Sequence, residues 1–98
     1  MTRRAVVRKR AEADITKAYA WYEKQHPGLG PEFVAEVRAT VRAVAERPES
    51  FPIDYQNARR ALTHRFPYKV YFVVEPARVV VVAVLHNRQS KARLRGRL

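Results

Sequence analysis

Eight side chains in the second half of the chain have the types needed for proton transfer and anion binding. Arg59, Arg60, His64 and Arg65 share one basic stretch, Tyr68 and Tyr71 follow it, and His86 and Arg88 end the longest apolar run. Such a set can cleave RNA without a metal, because the 2′-hydroxyl is an internal nucleophile. The reaction needs one group to take that proton, one to protonate the leaving oxygen, and cations for the charge that gathers on the phosphate. Histidine and tyrosine suit the first two tasks and arginine the third. A plainer reading competes: His64 and His86 as strand-end histidines in structural hydrogen bonds, and Arg59, Arg60 and Arg65 as exposed strand residues. Residue types alone leave both open.

Other chemistries find less support. The chain has no cysteine, which removes disulfides and thiolate metal sites, and its three histidines are far apart in sequence, so no metal and no cofactor is expected. Gly28, Gly30 and Gly96 match neither nucleotide-binding glycine signature, and Ser50 and Ser90 sit in no nucleophile motif. The start, MTRRAVVRKR, lacks the apolar core of a secretory signal, and no apolar run is long enough to span a membrane, so a cytoplasmic protein is expected.

The formal charge of +11 is segregated. Residues 1–10 carry five basic groups and no acid, residues 11–50 are nearly balanced, and residues 59–98 carry ten basic groups against the single Glu75. Fifteen of the twenty basic residues are arginine, whose planar fork suits carboxylate and phosphate. An acidic partner is expected, either nucleic acid or an acidic protein segment. The candidate contact set is Arg59, Arg60, Arg65, His86 and Arg88 with Lys91, Arg93, Arg95 and Arg97 of the tail.

These residues must be positioned by a sheet. Val79 to Leu85 is an unbroken apolar run rich in β-branched residues, the pattern of a strand covered on both faces, and it delivers His86, Asn87 and Arg88 to one rim. Lys69 to Glu75 reads as its antiparallel neighbour through a turn at Pro76. Arg59 to Arg65 reads as a weaker third strand, and Ala5 to Val7 as a short outer one. Between them, Ala11, Ile15, Ala18, Tyr19 and Tyr22 recur at helical spacing to about Gln25. Phe33, Val37, Val41 and Val44 do so from Pro31 to about Arg47, with the Gly28–Pro31 break making an antiparallel hairpin. Trp21 and Tyr22 are read as core rather than as a platform for stacking bases. Residues 48–58 are expected to be a loop pinned by Phe51, Ile53 and Tyr55, and residues 89–98 a loosely held helix or a disordered arm. The result is one α+β domain over 1–98, β-α-α-β-β-β, with the hairpin on one sheet face and the other face left for a docking partner.

That order resembles the RelE/ParE superfamily of toxins from type II toxin–antitoxin modules over nearly the whole chain. The resemblance is carried by AEADITKAYAWYEKQHPGLGPEFVAEV at 11–37, RRALTHRFPYKVYFVVE at 59–75 and VVVVAVLHNR at 79–88. The Leu85-His86-Asn87-Arg88 ending looks like the ParE-like, plasmid-stabilisation branch. The resemblance implies a growth-inhibiting toxin neutralised by a cognate antitoxin through an acidic or partly disordered segment, with operator DNA reached only through that antitoxin. Members of the RelE type act as ribosome-dependent mRNA endonucleases, whereas those of the ParE type act on DNA gyrase without known nuclease chemistry. The RelE-type site uses an aromatic hydroxyl near the carboxyl terminus. No tyrosine follows Tyr71 here, and Lys69 is the only lysine on the meander, which favours gyrase over ribosome and mRNA. If the chain were a nuclease, Arg59, Arg60, Arg65, His64, His86 and Arg88 would be its candidate catalytic residues. A third expectation rests on charge alone: a non-toxic module that binds nucleic acid or protein.

Overall fold

The valine run forms a strand that sets the plan of the molecule. In the computed structural model, which describes residues 2–98, Arg78–His86 is extended, and all seven residues between its ends are buried. Counting in chain order, the strands are β1 (Arg4–Val7), β2 (Ile53–Tyr55), β3 (Ala58–Leu62), β4 (Tyr68–Val74) and β5 (Arg78–His86). They form one sheet in the order β1-β5-β4-β3-β2. β3, β4 and β5 make the expected antiparallel meander, and β1 is the outer strand, lying parallel to β5 with Ala5 opposite Val79.

Val79, Val81 and Val84 face the helices, whereas Val80, Val82, Ala83 and Leu85 face the other way. Two successive residues, Val82 and Ala83, share a face because the β4–β5 register slips there. Phe72 pairs with Val81 and Tyr71 with Ala83, so Val82 has no opposite number. Each valine fully buried in this way contributes roughly 1.5–3 kcal/mol, so the strand is the main source of stability in the sheet.

The helical hairpin comprises α1 (Lys9–Gln25) and α2 (Leu29–Glu46), each beginning two residues earlier than the apolar periodicity suggests. The exposed first residues of α1, Lys9 and Arg10, need no apolar character, and at α2 the break signalled by Gly28-Leu29-Gly30-Pro31 hid a helix start that includes the partly buried Leu29 and the buried Gly30. Glu23, in the last turns of α1, accepts hydrogen bonds from the N–H groups of Gly28 (3.1 Å) and Gly30 (2.9 Å), closing the hairpin and capping α2. Gly28 holds φ +93°, the left-handed region, at this corner. Phe33, Val37 and Val44 fill the core with Tyr22, whose ring stacks on Phe33 at 5.3 Å.

Three expectations require correction. Residues 48–58 are not simply a loop: after a 3-10 turn at Pro48–Ser50 the chain forms β2, a far-edge strand too short for any alternation to be visible. Trp21 is not core, being 57% exposed beside the inward-turned Tyr22. The tail is neither arm nor loose helix. A 3-10 helix at Lys91–Leu94 lays Leu94, 0% exposed, against Val80, Val82 and Leu85, so the sheet face expected to be open is partly covered by the chain itself.

The tail is locked from its end. The Arg97 guanidinium donates to the Asp14 carboxylate at 2.7 and 3.3 Å and to the Val82 carbonyl at 3.1 Å, while the Val84 N–H donates to Asp14 at 3.0 Å. β1 stops opposite Val81, and from there Asp14 and Arg97 bond to the β5 edge in its place.

Candidate functional site

Beside the docked tail, the part of the sheet face that remains open is a shallow basin of about 690 Å³. β3 contributes Arg60, β4 contributes Lys69 and Tyr71, β2 contributes Asp54, and the tail contributes Lys91. Arg60 and Tyr71 are register partners across β3 and β4, so their side chains emerge side by side. Asp54 ties the group together. Its carboxylate accepts from the Tyr71 hydroxyl at 2.9 Å and from Lys91 at 3.0 Å, and lies 3.6 Å from Arg60 Nε.

The charges follow from this geometry. Burial works against ionisation of Asp54, but the hydrogen bonds from Lys91 and Tyr71 and the positive charges of Lys91 and Arg60 outweigh it, so its carboxyl is held below the ordinary value. Burial and the Asp54 carboxylate together push the Tyr71 hydroxyl up to about 12. Tyr71 therefore keeps its proton near neutrality and spends it on Asp54. The basin is a surface of three cations about one internal counter-ion, suited to holding an anion.

The other expected residues are divided among different places. Arg59 points to the helix side and donates to the Phe51 carbonyl at 2.7 Å. His64 and Arg65 lie on the exposed β3–β4 turn. Arg65 pairs with Glu32 at 2.8 Å and lies over the Phe66 ring, while Glu36 accepts from the N–H groups of Arg65 and Phe66, each at 3.0 Å. Burial of Glu36 opposes its charge, but those N–H groups and His64 prevail and hold its pKa low. Thr63 braces the same turn, donating to the Phe66 carbonyl. His86, at the end of β5, packs edge-on to Tyr68 at 5.2 Å, and its Nδ1 accepts from the Arg88 N–H at 3.0 Å. Arg88, Arg93 and Arg95 are exposed, whereas Arg97 is inside its pair with Asp14.

Neither histidine lines the basin, so of the acid–base groups considered for RNA cleavage only Tyr71 meets a cation there, and its proton is held by Asp54. Asp54, the residue that organises the basin, went unnoticed in the sequence. Its one signal is that it is the lone acid among residues 51–58. Among the described residues no three histidines, cysteines or carboxylates stand close enough to hold a metal ion, and no helix is long and apolar enough to cross a membrane.

Comparison with known proteins agrees with the fold. No curated protein matches the sequence. Among solved structures, the chain is similar to one described as "Chromosomal ParDE TA system from P. aeruginosa", with a TM-score of 0.78 at 16% identity over 87% of this chain and 96% of that one. The family model "ParE toxin of type II toxin-antitoxin system, parDE" matches residues 5–91. The N-terminal strand from its second residue on, the helical hairpin, all of the meander and the start of the tail fall within that match, and the chain belongs to the ParE toxin family, within the RelE/ParE superfamily.

Proposed function

We propose that the chain acts as a single domain in the cytoplasm, as the toxin of a type II toxin–antitoxin pair. In this reading it arrests growth by a ParE-like action on DNA gyrase, and a cognate antitoxin neutralises it through an acidic, partly disordered segment. The observation that carries the gyrase assignment is the Tyr71–Asp54 hydrogen bond in the basin. It occupies the one phenolic hydroxyl beside the cations, while the Ser90 hydroxyl at the rim accepts from the Ala92 N–H, and the basin is left with charge to offer rather than a proton to exchange. Membership of the ParE family and the likeness to a ParDE structure support the antitoxin assignment, as does the concentration of basic residues at both ends of the chain. The test is a supercoiling assay with purified gyrase and the full chain. Inhibition with trapped cleavage complexes is expected; undisturbed supercoiling with no trapped complex overturns the reading.

The basin cations Arg60, Lys69 and Lys91 favour a second reading, ribosome-dependent mRNA cleavage, in which charge stabilisation carries the catalysis. Toeprinting on translating ribosomes distinguishes it: cuts in the A-site that vanish in Arg60→Ala would establish it, and intact message ends it. The third possibility, a harmless binding module, predicts normal growth on induction.

A further inference from the structure

We propose that the groove between α1 and the carboxyl end of β5 is a docking site for single-stranded nucleic acid, with a base stacked on Trp21 and backbone phosphates on Lys17, Lys24 and Arg93. The groove, about 740 Å³, runs beside α1 on the opposite side of the tail from the basin. Residues 17, 21 and 24 are four and three apart, so they form one stripe of the helix, with a lysine roughly one turn on either side of the indole. Arg93 of the tail faces them across the groove.

Three observations point to this occupant. First, Trp21 is 57% exposed and meets Tyr22 edge-on at 5.1 Å and 86°, an arrangement that holds the indole in place while leaving ring surface open to solvent. Second, Lys17, Lys24 and Arg93 are exposed and, among the described residues, belong to none of the ion pairs, so their charge is available. Third, the one acid in the groove wall, Asp14, is already paired with Arg97, so it does not repel an incoming anion. A flat aromatic surface between cations is the arrangement by which proteins hold unpaired bases and track a backbone. A duplex offers no free base face to the indole. An acidic peptide would use the cations and leave the indole idle. The basin has cations without a stacking surface, so this site is separate from the one described above, and the inference stands whether or not gyrase is the target.

Trp21 is the only tryptophan, so the fluorescence of the unmodified full chain reports on this groove alone. Titration with a ten-residue oligo-dT and a ten-residue oligo-rU should give saturable quenching that weakens with salt, with a log–log slope of about −0.7 for each phosphate held. Saturation by either strand supports the proposal, and the tighter of the two names the sugar. In anisotropy measurements on labelled strands, Trp21→Ala should weaken binding roughly tenfold or more, Trp21→Phe much less, and Lys17→Glu with Lys24→Glu should lower both affinity and salt slope. All these positions are exposed, so the variants keep the fold, which circular dichroism checks. Absence of quenching overturns the proposal. So does equal quenching by an oligoglutamate peptide or by a blunt duplex, or binding that Trp21→Ala leaves unchanged, because each would assign the contact to undirected charge.

Discussion

Asp14 in the second turn of α1 and Arg97 in the tail are 83 residues apart in sequence and 2.7 Å apart in the fold. Their side chains, 18% and 8% exposed, lie against the β5 edge where Val82 is left without a partner across the β4–β5 ladder. The pair joins α1, β5 and the tail, and holds Leu94 over the apolar face that the helices do not reach.

Breaking that pair should undock the tail. Arg97→Ala leaves Asp14 partly buried with only the Val84 N–H, and removing one partner of a buried pair costs about 3–5 kcal/mol when neither can reach water. Here the tail can swing out and relieve the penalty, so a loss of about 2–3 kcal/mol is expected for Arg97→Ala and a similar loss for Asp14→Ala. Urea denaturation measures the loss, and hydrogen exchange should speed at the Val84 amide in both variants. If both melt like the parent, the tail is not held by this pair.

Acid should weaken the fold through two carboxylates. The pKa values of Asp54 and Glu36 lie below their ordinary values of 3.8 and 4.5, so the folded state binds these protons less readily than the unfolded chain. Their stabilisation is complete above those ordinary values and is lost as the pH falls through the lower values of the folded state. Glu36→Gln should lower stability at neutral pH and flatten the acid limb of a denaturation series run from pH 6 to pH 2.

Alkali should act in the opposite direction through the tyrosines. Burial and the neighbouring Tyr22 push the Tyr68 hydroxyl up to about 12, matching Tyr71, and burial raises Tyr22 as well. Because the folded state keeps these protons longer, their contribution is present below the ordinary value of 10 and is lost as the pH rises toward 12. Ultraviolet titration should show at least two of the five tyrosines ionising late, and Tyr71→Phe should remove one of them. A single transition near 10 for all five would contradict the burial described.

Neutralising the basin should reduce toxicity while sparing the fold. Arg60→Gln and Lys91→Gln each remove one cation but leave Asp54 its bond from Tyr71, so stability should fall by no more than about 1 kcal/mol. Growth arrest on induction should be relieved by the double variant, and antitoxin binding should lose part of its salt dependence. Full arrest by the double variant would remove the basin from the functional account.

Much of this fold was legible because its signals are local. Seven consecutive apolar residues mark a strand covered on both faces, and Phe33, Val37 and Val44 mark a helix face whatever lies opposite. What escaped depends on contacts distant in sequence. Three residues of β2 carry no period, and their pairing with β3 arises from a tight turn at Gln56-Asn57, where Gln56 takes φ +51°. Trp21 and Tyr22 are adjacent on α1, and only the rotation of the helix against Phe33 and Phe66 decides which one turns inward. Arg97 looked like one more tail cation, because its partner Asp14 looked like an ordinary acid near the start of a helix. The basin needed Asp54 from the far edge, Arg60 and Tyr71 from the middle and Lys91 from the tail, a meeting that no spacing announces.

The parallel alignment of β1 with β5, Arg4 opposite Arg78, has a kinetic consequence. Closing it joins segments more than seventy positions apart, so it comes late, after the local β4–β5 ribbon has assembled. In that interval a ladder of valines has an unguarded margin, the kind of surface on which nascent chains stick to one another. Arg78 and Arg88 bracket the ladder, and Arg3 and Arg4 stand at the start of the strand that will cover it, so like charge keeps neighbouring copies apart until the margin is sealed. Refolding followed by light scattering should accordingly turn cloudy when salt screens those arginines and stay clear when it does not.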